Sequence, residues 1–285
     1  MNIRDNDRNS ERDEPSILNT FDDEKWAKLA FENNTRYQEN KPFPHISFDN
    51  FLPRNTAEII SSEYPQINNL TTSFKFHNNQ NVSRYLLEDT RYFSNNLKLF
   101  TAAISSRSFL LFLETLTGIK ALIPDPYLMG GGAMITGTGG FLNVHVDFNW
   151  HQKLQLWRRC NVLFYLTKDW RSEYGGNLEL WSTDGKSKVT EIEPLFNRVA
   201  IFDTTSESYH GQPDKINTPK NVFRNVFSAF YYATEKNEKI NSSPHFTKYN
   251  TSDEKQNEVA DFKNSPYADA ITKDYLKRIN DEIEK

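Results

Sequence analysis

The spacing of apolar and polar residues changes character twice along the chain. Between residues 56 and 120 apolar positions recur every three or four residues, which predicts helices at Ala57-Glu-Ile-Ile-Ser-Ser-Glu-Tyr64, capped by Asn55, and over residues 97–116, ending at Gly118. From 129 to 232 the pattern shortens to runs rich in Val, Ile, Phe, Tyr and Trp: Asn161-Val-Leu-Phe-Tyr-Leu166, Asn177-Leu-Glu-Leu-Trp181, Arg198-Val-Ala-Ile-Phe202 and Val226-Phe-Ser-Ala-Phe-Tyr-Tyr232. Turn signals at Gly175-Gly176, Asp184-Gly185 and Gln212-Pro213-Asp214 separate these strands. Short strands joined by tight turns point to an antiparallel sandwich or barrel. With helices first and strands after, the predicted fold is α+β: a double-stranded β-helix (jelly-roll, cupin-like) buttressed by N-terminal helices.

The two ends read differently. Residues 1–40 form a charged arm interrupted by one amphipathic run, Trp26-Ala-Lys-Leu-Ala-Phe31, expected as a short docking helix on a solvated segment. Residues 235–285 are again dense in charge, with Ile271, Leu276, Ile279 and Ile283 at helical spacing. The expected organisation is a core domain over residues 41–234 between two charged extensions.

Composition limits what such a domain does. A chain of 285 residues, 37% hydrophobic and 14% aromatic, suffices for one sizeable core. The formal net charge of −4 removes the global electrostatic reason for binding a nucleic-acid backbone. No apolar run reaches the roughly 20 residues of a membrane helix, and the first residues lack the apolar core of a signal peptide, so a cytoplasmic protein acting without a membrane is expected. The lone cysteine, Cys160, builds neither an internal disulfide nor a cysteine zinc site. Metal chemistry would then fall to the six histidines (45, 77, 145, 151, 210 and 245) and the carboxylates.

His145-Val146-Asp147 closes a predicted strand, and side chains two apart on an extended chain point the same way. His210 follows the strand Val199-Ala-Ile-Phe-Asp203. Two imidazoles and one carboxylate on adjacent strand ends form the facial triad that holds non-haem Fe(II) and leaves positions open for co-substrates. Arg224 begins the next strand. Its guanidinium would either pair with a nearby carboxylate or clamp the far end of a dicarboxylate, which its forked geometry suits.

These residues, in this order, resemble the Fe(II)- and 2-oxoglutarate-dependent dioxygenases, in particular the prolyl-4-hydroxylase-like branch. The resemblance rests on Gly139-Gly-Phe-Leu-Asn-Val-His-Val-Asp147, Arg158 through Trp170, Tyr174-Gly-Gly-Asn-Leu-Glu-Leu-Trp181, Tyr209-His-Gly211 and Arg224 through Tyr232, with Lys41 through Pro53 as a lead-in. It implies that His145, Asp147 and His210 bind iron and that Arg224 holds the C5 carboxylate of 2-oxoglutarate. Tyr165 and Asn161 are further expected co-substrate contacts. Many relatives place a serine two residues after the arginine, whereas this chain has Val226. The implied reaction hydroxylates an unactivated C–H bond while 2-oxoglutarate and O₂ are consumed and succinate is formed, with ascorbate as a candidate reductant. The carboxylate at Asp147 argues against halogenation, because related halogenases replace it by a small residue.

The remaining signals have mostly ordinary readings. Six of the 11 glycines lie in residues 130–140, but without a Gly-Lys-Ser/Thr ending they predict a flap or strand lead-in beside the iron, not a phosphate loop. His151 reads as a surface or substrate-side residue, His45 as part of the lead-in strand, and His77 and His245 as loop residues. Trp150 and Phe148, next to the ligands, are candidate substrate contacts. Arg158 is either a contact for an anionic substrate or part of a solvated strand edge, together with Lys153 and Arg159. The expected substrate is a free amino acid or another small biosynthetic intermediate. The alternatives are a prolyl residue in a protein or peptide, and a catalytically silent β-helix that only binds a ligand or partner.

Overall fold

The computed structural model describes residues 16–67, 74–78, 81–236 and 243–250. The predicted helix at residues 269–283 lies outside them. Four α-helices come first or between early strands: α1 (Lys25–Glu39), α2 (Arg54–Ser62), α3 (Asn95–Ile104) and α4 (Arg107–Thr117). The strands are β1 (His45–Phe48), β2 (Phe74–Asn78), β3 (Asn81–Leu87), β4 (Ile123–Pro124), β5 (Gly132–Val146), β6 (Trp150–His151), β7 (Leu156–Tyr165), β8 (Leu178–Trp181), β9 (Lys188–Ile192), β10 (Val199–Asp203), β11 (His210–Gln212), β12 (Arg224–Ala233) and β13 (Lys248–Tyr249). Every pairing among them is antiparallel, and the central order runs β1-β10-β7-β12-β5-β11-β8-β9. This is the jelly-roll, double-stranded β-helix that the strand pattern predicts.

The period-two alternation of the strands divides the sheet into two chemically different faces. On one face Ala133, Ile135, Cys160, Val162, Phe164, Val199, Ile201, Phe227, Ala229 and Tyr231 meet the helices in a single apolar core. Rings fill it: Phe100 stands edge-on to Phe164 and Phe227 at 5.0 and 5.5 Å, and Phe109 packs on Phe21 at 4.4 Å. The alternate residues, among them Met134, Asn161, Leu163, Val226, Ser228 and Phe230, face a cavity on the other side of the sheet.

Several local expectations change. The amphipathic run at Trp26 extends to a 15-residue helix that packs Trp26, Ala30 and Tyr37 into the core, with Asn34 donating to the carbonyls of Thr115 and Leu116. Residues 97–116 are not one helix: α3 and α4 meet at 47°, with Ser106 capping the second. Gly118 ends α4 as expected, at φ +72°, the left-handed conformation that glycine adopts without steric cost. Asn55 is not a cap, since α2 already begins at Arg54. The region read as helical also contains the β2–β3 hairpin, which puts His77 on a strand and lays β3 along β5. The glycine-rich stretch is no flap, because from Gly132 onward it is the first part of β5, paired on both sides. No single helix among the described residues is long and apolar enough to cross a membrane.

Candidate active site

Strand β5 ends on His145 and Val146, with Asp147 next, and β11 begins on His210, directly opposite His145 in the register. The two imidazole centroids lie 4.5 Å apart. Each ring is fixed the same way: Nδ1–H of His145 donates to the Asn143 carbonyl and that of His210 to the Ser208 carbonyl, both at 2.8 Å. This leaves both Nε2 lone pairs free and turns them toward one carboxylate. His145 Nε2 is 3.5 Å from Asp147 Oδ1, and His210 Nε2 is 3.4 Å from Asp147 Oδ2. One ligand atom from each of the three residues falls within 4.8 Å of the others, and all three residues are buried. Two imidazole nitrogens and one carboxylate oxygen facing one point are the donor set of a divalent first-row metal with open coordination positions.

Electrostatics prepares these groups. Burial lowers the pKa of His210 to about 4, only partly offset by Asp147, so its imidazole is neutral at physiological pH. Burial alone would raise the Asp147 carboxyl, but Arg158 and the two imidazoles outweigh it and hold it well below its ordinary range. Arg158 Nη2 and Asn161 Nδ2 each donate to Asp147 Oδ2 at 2.8 Å, and Arg158 Nε donates to Asn161 Oδ1 at 2.9 Å. The Arg158 guanidinium lies against two near-perpendicular rings, 3.5 Å from the Phe230 centroid and 4.5 Å from that of Phe148. Arg158 is therefore not part of a solvated edge: it is 2% exposed. Asn161, expected to contact the co-substrate, has both polar side-chain atoms engaged in this triangle.

Arg224 opens β12 and lines the same cavity. It makes no ion pair among the described residues. Its guanidinium carbon lies 5.2 Å from the centroid of the Tyr165 ring. Arg224 Nε and the Tyr165 hydroxyl are buried without hydrogen-bond partners among the described residues, two orphaned donors side by side. Burial raises the tyrosine pKa and lowers that of the arginine, each effect opposed by the other group. Buried donors left unmatched in a folded protein mark a place where a ligand acceptor belongs. An anionic group with two oxygens fits that requirement.

Of the candidate substrate contacts, Phe148 lines the cavity and Trp150 does not. Trp150 sits on β6, edge-on to Trp157 at 4.8 Å, because the short β6–β7 pairing turns it away. His151 is fully buried, not a surface residue, with Nε2 3.3 Å from Asp125 Oδ1. His245 is buried as well, accepting at Nε2 from the Ser206 hydroxyl at 2.7 Å, while its backbone N–H donates to Asn149. The sequence pattern missed Arg84, Gln212, Thr247 and Tyr249, all of which line the cavity. Tyr249 lies on β13, pairs with His145 and places its ring 5.5 Å from that imidazole. The alternation of β3 is the one signal that could have found Arg84.

Residues 131–239 match the sequence model of the 2OG-Fe(II) oxygenase superfamily. No curated protein matches the sequence. Solved structures share the fold. One is a prolyl hydroxylase from Trichoplax adhaerens in complex with a hypoxia inducible factor oxygen degradation domain peptide fragment (TM-score 0.54, 18% identity, 77% of this chain and 96% of that chain). Another is a Pseudomonas putida prolyl-4-hydroxylase (TM-score 0.52, 14% identity, 72% and 98%). A third is the epimerase SnoN in complex with Fe³⁺, alpha ketoglutarate and nogalamycin RO (TM-score 0.50, 10% identity, 80% and 97%). Over residues 131–239, the stretch that carries His145, Asp147, His210 and Arg224, the chain is similar to the 2OG-Fe(II) oxygenase superfamily.

Proposed function

We propose that this oxygenase hydroxylates a C–H bond of a small molecule, with iron held by His145 Nε2, Asp147 Oδ1 and His210 Nε2. The observation that carries this reading is the pinned pair of imidazoles facing one carboxylate in the cavity that also holds the unpaired Arg224. Bound iron, 2-oxoglutarate and O₂ would supply the oxidising chemistry, with succinate as co-product. The protein's own residues do the rest. Arg158 and Asn161 occupy Asp147 Oδ2 and so direct Oδ1 to the metal. Arg224 and the Tyr165 hydroxyl take the C5 carboxylate of 2-oxoglutarate. That leaves Val226 without a polar role, consistent with its buried place in the apolar cluster around Tyr165. Phe148 and Phe230 shield the Asp147–Arg158 pair from water, which strengthens it.

A small substrate is favoured by the cavity, about 210 Å³ and walled along its flank by β3 residues together with Thr247 and Tyr249. This is below the range typical of ligand sites, about 300–1,000 Å³. A peptidyl proline, as for the prolyl hydroxylases that share the fold, is the other outcome of the test. Anaerobic titration of the Fe(II) protein with 2-oxoglutarate is expected to give the weak visible charge-transfer band of the chelate, and His210→Ala to abolish it. A wild-type protein that gives no band would overturn the reading. Screening amino acids and proline-containing peptides for stimulated succinate release, with product masses, then separates the two substrate classes.

A further inference from the structure

Among the described residues, the cavity contains one cation that neither the metal site nor the co-substrate site uses. Arg84 on β3 and Arg224 on β12 are both in register with Thr136 of β5, one from each side. Residues paired in this way share a face of the sheet, so the two guanidiniums project into the same cavity from strands about 10 Å apart, two interstrand spacings. The next row, two residues along, is Leu86, Met134 and Val226, and all three line the cavity too. Arg84 is only partly buried, and among the described residues its side chain makes one hydrogen-bond contact, from Nη2 to the Met134 sulfur at 3.2 Å. A thioether is a weak acceptor and carries no charge, so it does not balance a guanidinium.

A charge count sharpens the point. Among the described residues, the charged side chains lining the cavity are Arg84, Arg158, Arg224 and Asp147. Asp147 is matched by Arg158. Adding Fe(II) and doubly ionised 2-oxoglutarate contributes no net charge, so the loaded cavity retains an excess of about two positive charges, one of them on Arg84. Burial beside Arg224 lowers the Arg84 pKa to about 10, which still leaves it protonated at neutral pH. Uncompensated charge in an enclosed site is costly until an opposite charge arrives.

We propose that Arg84 is the specificity-determining residue for substrate, and that the substrate carries a carboxylate or phosphoryl oxyanion that its guanidinium binds. This rests on the reading of the site as a loaded 2-oxoglutarate oxygenase and narrows its substrate class. Leu86 and Met134, in the row beside Arg84, provide an apolar surface for the part of the substrate next to its anionic group.

The test uses full-length protein saturated with Zn(II) and 2-oxoglutarate, which cannot turn over, titrated by calorimetry with benzoate, phenyl phosphate and benzamide. The expected result is that one or both anions bind, that benzamide does not, and that Arg84→Gln weakens anion binding at least tenfold. Arg84→Lys should retain part of it. The dissociation constant for 2-oxoglutarate should stay within twofold in Arg84→Gln, which also shows that the variant is folded. A tenfold loss of 2-oxoglutarate affinity in that variant would assign Arg84 to the co-substrate and overturn the proposal. Equal anion binding by wild type and Arg84→Gln, no anion binding by wild type, or binding of benzamide as tight as benzoate, overturns it as well. Failure of 2-oxoglutarate to bind the wild-type Zn(II) protein at all would instead strike the underlying function. Benzoate against phenyl phosphate separates the two anion chemistries.

Discussion

Arg158 reaches Asp147 because Arg159 is an extra residue in β7. Tyr231 pairs with Cys160 and Tyr232 with Arg158, so Arg159 has no partner on β12. This bulge puts Arg158 on the same side as Asn161, three residues away, which a regular strand would place on the opposite face. Both side chains then close on one carboxylate oxygen. Arg158→Gln should weaken Fe(II) binding about 10- to 100-fold, the usual effect of losing a group that orients a metal ligand. Deleting Arg159 leaves Arg158 opposite Tyr232 and two residues from Asn161, still on the same face, so iron affinity should fall far less than in Arg158→Gln. Chelator competition with Fe(II) reads both, and a deletion variant that binds iron as weakly as Arg158→Gln would contradict the geometry.

Arg224 and Tyr165 are the pair expected to recognise the co-substrate. Arg224→Gln removes the charge from a buried two-donor site, and the loss of a charged hydrogen-bonded pair costs about 2–5 kcal/mol. The KM for 2-oxoglutarate should rise at least thirtyfold, while Fe(II) affinity, measured without 2-oxoglutarate, stays near wild type. Tyr165→Phe should show a smaller rise of the same kind, read from initial rates of succinate formation.

Glu88 directly follows β3 and accepts from the Gly130 N–H. Burial raises its pKa to about 7, partly offset by that hydrogen bond. A carboxyl whose pKa is raised by folding keeps its proton in the native state longer than in the unfolded chain. Stability from this group is therefore highest at or below about pH 4.5 and falls as pH rises toward 7, then levels off. Glu88→Gln keeps an acceptor for Gly130 and cannot ionise. Its stability relative to wild type should increase between pH 5 and 8, by up to about 3 kcal/mol for a shift of this size. Urea unfolding at the two pH values measures the difference; an unchanged difference would show that Glu88 titrates normally.

Gly132 begins β5 at φ +83°, and a Cβ there would sit 2.6 Å from the Leu87 carbonyl oxygen, which is backbone and cannot rotate away. Gly132→Ala should cost about 2–4 kcal/mol, from an unfavourable backbone conformation plus a steric clash. It should also push β3 off β5 and displace Arg84, so thermal denaturation and anion titration should both respond. A variant as stable as wild type would show that the strand pair adjusts freely.

Much of the metal site was legible because it depends on short spacings. His145 and Asp147 are two apart on one strand, and the strand ending at Asp203 leads to His210 within a few residues. Arg224 and the outlines of β7, β8, β10 and β12 were readable for the same reason: alternation is local. What depends on pairing across the sheet was not. The burial of Arg158 needs a register shift between two strands, and a bulge leaves no mark in a single strand's pattern. The β2–β3 hairpin stands in a polar, Asn-rich stretch whose strand character comes from pairing along β5. His151 is buried because Asp125, 26 residues earlier, meets it, and sequence spacing gives no hint of that contact.

The last described strand, β13, pairs with His145 and Val146 and contributes Tyr249 to the cavity wall, while Thr247 just before it adds another lining residue. In time rather than space, this makes the active site a late product of synthesis. His145, Asp147, His210 and Arg224 have all left the ribosome before the segment that closes over them. Completion of the cavity wall therefore depends on a strand whose Tyr249 stands 25 residues (249 − 224) beyond Arg224.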